Sequence, residues 1–175
     1  MILLFLLQSA GLLSVFDAEV ERAGMTQHRS LLAAQIQQES AWNCDAHSRY
    51  AAGCAQFTAP TWAQYSAEVR PSCEGIAATD PPCAFRAQSL YMKRLLNSHR
   101  ISATSRDQEA FALASYNGGA GWVRREKRQC KQNPRCSPKR WFGHVEDHCI
   151  RADRACTESR AYPVRVMQLE SRYRQ

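Results

Sequence analysis

Long apolar runs are scarce in this chain. Only residues 2–16 form one, and they fall short of the ~20 residues that an ordinary membrane-spanning helix needs. Cys-x-x-Cys is absent, so the close cysteine pairs typical of structural zinc are missing. Gly-x-Ser-x-Gly, His-Glu-x-x-His and a phosphate-binding glycine loop are absent too, which removes the commonest serine-hydrolase, zinc-peptidase and nucleotide-hydrolysing readings. No segment alternates as a strong strand, and a small hairpin near Ala51 to Phe57 is the only candidate. There is no internal repeat and no low-complexity stretch. Zinc-finger spacing and aromatic-interleaved basic repeats are lacking, so no nucleic acid partner is expected.

What is present fits a mainly α chain of 175 residues with room for a real core. The net charge of +7 is uneven. Residues 1–119 carry nine Lys/Arg against ten Asp/Glu, whereas residues 120–175 carry fourteen against six. The basic clusters are Arg124-Arg125-Glu126-Lys127-Arg128 and the stretch Lys131 to Arg140. Such a surface attracts polyanions of any kind.

Cysteine is abundant: Cys44, Cys54, Cys73, Cys83, Cys130, Cys136, Cys149 and Cys156. An even count at this density favours disulfides and an oxidising compartment such as the periplasm. His144 and His148 beside Cys149 and Cys156 are the only His/Cys grouping that suggests a metal, and disulfides are the better account. Many connectivities are open. The expected pairing is local, Cys44–Cys54, Cys73–Cys83, Cys130–Cys136 and Cys149–Cys156, each stabilising by about 2–3 kcal/mol in the chain-entropy model.

Helix signals recur. Thr26 is a candidate cap for the run Leu31 to Gln38, which ends in Glu39-Ser40. Thr58 precedes Ala59-Pro60, and Asp80-Pro81-Pro82 opens a helix with Phe85, Met92 and Leu96 on one face. Ser105 with Gln108 suggests a capping box, and Gly118, Gly119 and Gly121 end that helix and open a loop. Residues 70–79 and 129–138 read as disulfide-clipped loops.

Leu32, Ile36 and Glu39 stand at i, i+4 and i+7, which puts a carboxylate in line with an apolar stripe. Burial disfavours the charged form, so Glu39 is expected to hold its proton more tightly than a free glutamate. A carboxylic acid of that kind can protonate a glycosidic oxygen. No second carboxylate stands out as its partner, and Asp45 reads as a loop residue.

Four segments carry a resemblance. They are Glu39-Ser40-Ala41-Trp42-Asn43 with Ala46 and Ser48; Ala51 to Trp62; Ala114-Ser115-Tyr116-Asn117-Gly118-Gly119-Ala120-Gly121-Trp122; and Glu158 to Val166. In this order they resemble the motifs of the soluble lytic transglycosylases, whose catalytic domain is a variant of the goose-type lysozyme fold. The Arg-rich closing segment with Tyr162-Pro163 is most like members encoded by bacteriophages. The match has departures. The stretch from Ser48 to Gln56 is one residue short, Tyr50 replaces a glycine, Cys54 a leucine and Thr58 a methionine.

The resemblance implies a lysozyme-like domain over residues 17–175 that cleaves the MurNAc–GlcNAc β-1,4 bond of peptidoglycan without a cofactor or metal. Glu39 would be the acid and then the base. Ser48, Gln56, Tyr116, Asn117, Glu158 and Tyr162 would bind or position substrate. Glycan strands would be the partner, and the product a 1,6-anhydromuramyl end. A hydrolase of the same fold, and a non-catalytic wall-binding or virion protein, remain alternatives. Residues 1–16 read as a signal, an anchor to a membrane or assembly, or a docked helix; no Lys or Arg precedes them and Ala10 makes a poor cleavage site.

Overall fold

A computed structural model describes residues 2–69 and 72–174, with side-chain surroundings from residue 11 onward. Seven α-helices account for most of it: α1 (Ile2–Arg22), α2 (Arg29–Ser40), α3 (Ala59–Glu68), α4 (Pro81–Ser98), α5 (Ser105–Gly118), α6 (Ala120–Lys131) and α7 (Asp153–Glu170). Short 3-10 turns lie at Thr26–His28, Val145–His148 and Ser171–Tyr173. Among the described residues there is no extended strand; the expected hairpin is reduced to the isolated antiparallel bridges His47–Ala52 and Ala52–Phe57. No helix among these residues is long and apolar enough to cross a membrane.

The chain packs as two units, Met1–Tyr91 with Val166–Gln175, and Met92–Arg165. The first is built around α2, which is buried on nearly every side through Leu31, Leu32, Ala33, Ala34, Gln35 and Ile36. A helix segment buried on every face belongs at a centre. Its one buried polar side chain, Gln35, accepts from Gln88 Nε2 at 2.8 Å, and the same amide also donates to Leu32 O at 3.1 Å. From α1, Phe16 and Val20 enter this core. The side chains of residues 2–10, part of the apolar run, lie outside the described residues. Glu19 is buried too, and it is held by two guanidinium groups, Arg22 at 2.7 Å and Arg86 at 2.5 Å. A buried carboxylate without such partners is strongly destabilising.

The second unit is built around α5, where Ala110 to Ser115 are fully buried. Ser115 Oγ lies 3.0 Å from His99 Nε2, and Lys127 Nζ lies 3.0 Å from His99 Nδ1. An ammonium group only donates, so Nδ1 accepts and Nε2 carries the proton towards Ser115. His99 stacks on Phe111 with ring centroids 5.2 Å apart, and Phe111 meets the buried Trp141 edge-on.

All four local disulfides form as expected: Cys44–Cys54, Cys73–Cys83, Cys130–Cys136 and Cys149–Cys156. Asp80 caps α4, its carboxylate accepting from Cys83 N at 3.0 Å. Three expectations about helix ends are corrected. Thr26 starts a 3-10 turn, and α2 begins after His28 with no side-chain cap. The cap of α5 is Thr104, not Ser105; its extended backbone lets Oγ1 accept from Asp107 N. Gly118-Gly119 opens no loop, because α6 begins at Ala120 directly after a left-handed Gly119.

Burial, with help from the charges on Lys127 and Arg124, pushes the His99 imidazole down to about 3 from an ordinary 6.5. The unfolded chain therefore binds the proton between about 6.5 and 3 while the folded chain does not. The contribution of this site to stability is whole above 6.5 and is lost as pH falls through that window. We expect acid unfolding to steepen below pH 6.5, by on the order of a few kcal/mol in total. Denaturant melts of wild type and His99→Gln between pH 3 and 7 check this; the substitution should flatten the slope.

Candidate active site

Helix α2 ends on two successive residues with left-handed backbone, Ala41 (φ 51°) and Trp42 (φ 66°). Neither is glycine, so each costs about 1–2 kcal/mol. The backbone gains Ala41 N–H to Gln37 O at 3.0 Å and Asn43 N–H to Ser40 O at 3.0 Å. Trp42 supplies more. Its ring meets Phe16 edge-on at 5.3 Å and Phe85 at 5.9 Å, and leans on Tyr173 at 6.0 Å. Its Nε1 donates to Tyr173 Oη at 2.8 Å, and that hydroxyl donates to Gln37 Oε1 at 2.9 Å. Three aromatic contacts at ~0.5–1.5 kcal/mol each and two hydrogen bonds at about 1 kcal/mol each offset the strain. Glu39, half-buried in the last turn of α2, is thereby carried on a helix end whose position is over-determined.

The segment after Trp42 is held by its own side chains. Asn43 Oδ1 accepts from Asp45 N at 3.1 Å. Exposed Ser48 closes a small turn: Oγ accepts from Ala51 N at 2.9 Å and donates to Ala51 O at 3.2 Å. Gln56 also has left-handed backbone (φ 47°), and its Nε2 donates to Ala46 O at 3.2 Å and to Gly53 O at 2.9 Å. The Cys44–Cys54 disulfide spans the same loop. The residue-short stretch noted in the sequence is thus a closed loop, cross-braced by a disulfide and an amide.

The other sequence-identified residues lie in the second unit. Tyr116 is half-buried near the end of α5, and Asn117 beside it is exposed. Tyr162 is buried in α7, and Glu158 forms an ion pair with Arg165. Gly118 has a reason that spacing does not reveal: a Cβ there would lie 2.3 Å from Arg151 Nη1. Arg151 in turn bonds Glu126 Oε1 at 2.9 Å and Ser159 Oγ at 2.5 Å. Burial pushes the Glu126 carboxyl up, against the opposing pull of Arg151. One buried ion pair therefore ties the Gly118 corner to the fourth motif.

Of the tryptophans, Trp141 is core, Trp62 packs on Phe57 and donates to Ile76 O, and Trp42 is the clamp described above. Trp122 is the most open, with the Arg125 guanidinium 4.6 Å above its ring. Cys130, Cys136 and His148 bring candidate metal-ligand atoms within 4.8 Å of one another, but the two sulfurs are joined as a disulfide and offer no thiolate.

Residues 18–136, more than half of the chain, match the family described as "Transglycosylase SLT domain". The chain belongs to that family. Its mainly helical, disulfide-braced fold is the lysozyme-like domain of SLT proteins. It is also similar to "Membrane-bound lytic murein transglycosylase F" of Shewanella loihica, 34% identical over 126 residues, which is 71% of this chain and 24% of that protein. The protein of the same name from Alteromonas mediterranea is 37% identical over 92 residues, 52% of this chain and 18% of its own length. The chain thus spans a quarter or less of the curated relatives it matches.

Gly53 tests the loop. Its φ is +82°, and a Cβ would fall 1.9 Å from Ala78 O, a backbone atom that cannot move aside cheaply. Gly53→Ala should lose about 3 kcal/mol or more. Gly75→Ala, with φ +74° and open space around it, should lose only about 1 kcal/mol. Urea unfolding of the two variants separates the steric clash from the backbone cost.

Proposed function

We propose that this chain is a peptidoglycan lytic transglycosylase that cuts the MurNAc–GlcNAc β-1,4 bond. The observation that carries the reading is the SLT match over residues 18–136 with Glu39 kept at the pinned end of α2. Glu39 first donates its proton to the bridging oxygen, and the GlcNAc side leaves. The N-acetyl group of the muramyl residue attacks C1 and holds it. Glu39, now a carboxylate, takes the proton from the C6 hydroxyl. That oxygen closes on C1 and displaces the N-acetyl oxygen, leaving a 1,6-anhydro end. The proton given in the first step is recovered in the second, and no water is consumed.

Ser48 and Gln56 shape the loop beside this carboxylate and meet the sugar. Tyr116, Asn117, Glu158 and Tyr162 position substrate from the later motifs. Four disulfides and the "membrane-bound" names of the relatives support a place outside the cytoplasm, in the periplasm or wall, with the apolar residues before the core residue Phe16 as the tether to a membrane or assembly. The Arg-rich close with Tyr162-Pro163 supports a phage protein that opens the wall during penetration or lysis.

Mass spectrometry of muropeptides released from purified sacculi tests the reading. Wild type should release anhydro ends, and Glu39→Gln should lower the rate by about 10²–10⁴-fold. Reducing ends from wild type would make it a hydrolase of the same fold. No release at all would leave a wall-binding or virion role.

A further inference from the structure

Arg124, Lys127, Arg128 and Lys131 stand at i, i+3, i+4 and i+7 on α6, so the helix presents them along one face. The chain then turns back, and Lys139 O accepts from Ala103 N at 2.8 Å. This brings Pro138-Lys139 and Ile101 opposite that face. Between them lies a cavity of about 350 Å³ lined by Arg124, Lys127, Arg128, Lys131 and Lys139, with Ile101 and Pro138 as its apolar rim. The lining has five cations and no acid.

The charges are uncompensated. Among the described residues, ion pairs engage Arg22, Arg29, Arg86, Arg106, Arg151, Arg165 and Arg174, and none engages the five cations of the cavity. The one carboxylate on α6, Glu126, is committed to Arg151. Lys127 is fixed from behind: its ammonium lies 3.0 Å from His99 Nδ1 and 3.5 Å from the centre of the Phe111 ring. Neither neighbour carries negative charge, since His99 is neutral above about pH 3. Crowding by Lys131 adds to burial in drawing the Lys127 ammonium down to about 8. Like charges gathered without an acid repel one another, and a bound anion removes that cost.

Arginine and lysine offer donors only, so the complementary ligand is rich in oxygen acceptors. Five cations around one cavity call for more than a single negative charge, which favours phosphate over a lone carboxylate. We propose that this cavity is a binding site for a phosphate-bearing anion of two or more charges. The phosphate comes either from a soluble compound or from lipid headgroups.

Calorimetry with pyrophosphate at fixed ionic strength, on the full chain, tests the site. Wild type should bind, and Lys131→Gln/Lys139→Gln should bind about tenfold or more weakly. Both lysines are exposed, so unchanged thermal melting of the variant without ligand is expected, and Arg124→Gln provides a second, independent loss. Co-sedimentation with phosphatidylcholine vesicles, with and without phosphatidic acid, separates the sources. Pyrophosphate binding without vesicle binding assigns a soluble ligand, and vesicle binding lost in the double variant assigns headgroups. Acetate binding as tight as pyrophosphate would overturn the site, as would pyrophosphate binding unchanged in both variants. So would binding of a DNA oligonucleotide that survives the substitutions, since that marks a diffuse basic surface.

Discussion

The contact of Trp42 with Phe16, Phe85 and Tyr173 is the interaction on which the first unit depends. It joins α1, the end of α2, α4 and the C-terminal turn through one side chain. It also stabilises two left-handed residues that the chain would not otherwise adopt. Without it, α2 would fray, and Glu39 lies in the turn that would fray first. Strain at this point follows from what the geometry must do. The chain has to leave a helix with a buried middle abruptly and enter a short, cross-braced loop, while the final carboxylate stays half-buried.

The second unit solves a similar problem with other chemistry. Its central helix, α5, buries two polar side chains, Asp107 and Ser115, and a neighbour satisfies Ser115. Here the neighbour is a neutral histidine, and behind it stands Lys127, a residue that also lines the basic cavity. The Arg151 guanidinium, paired with Glu126, lies against the Gly118 corner and leaves no room for a side chain there. Burying that pair costs desolvation, and the Ser159 bond gives the guanidinium a further partner.

Much of this was legible in residue order. The apolar run of α2, the proline-led starts of α3 and α4 and the local disulfide pairing all follow from short-range rules, and they hold. The rest is set by partners distant in sequence. Nothing near Trp42 says that Tyr173, 131 residues away, will take its indole proton. Alanine and tryptophan are poor signals for left-handed backbone, so the turn at Ala41-Trp42 is invisible to propensity. The cap of α5 falls on Thr104 rather than Ser105 because Asp107 also receives Trp141 N, a tertiary bond that fixes the register. The basic face of α6 was visible as composition; that it lines an open cavity needs the turn at Pro138-Lys139.

The proposed role of Glu39 requires that the Trp42–Tyr173–Gln37 chain hold the end of α2 in place. Steady-state turnover of purified sacculi by Tyr173→Phe tests it most directly, since this change removes one oxygen and keeps the ring. The expected result is a kcat lowered about tenfold or more with KM little changed, and a lowered thermal midpoint because two hydrogen bonds are lost. Wild-type kcat in that variant would contradict it.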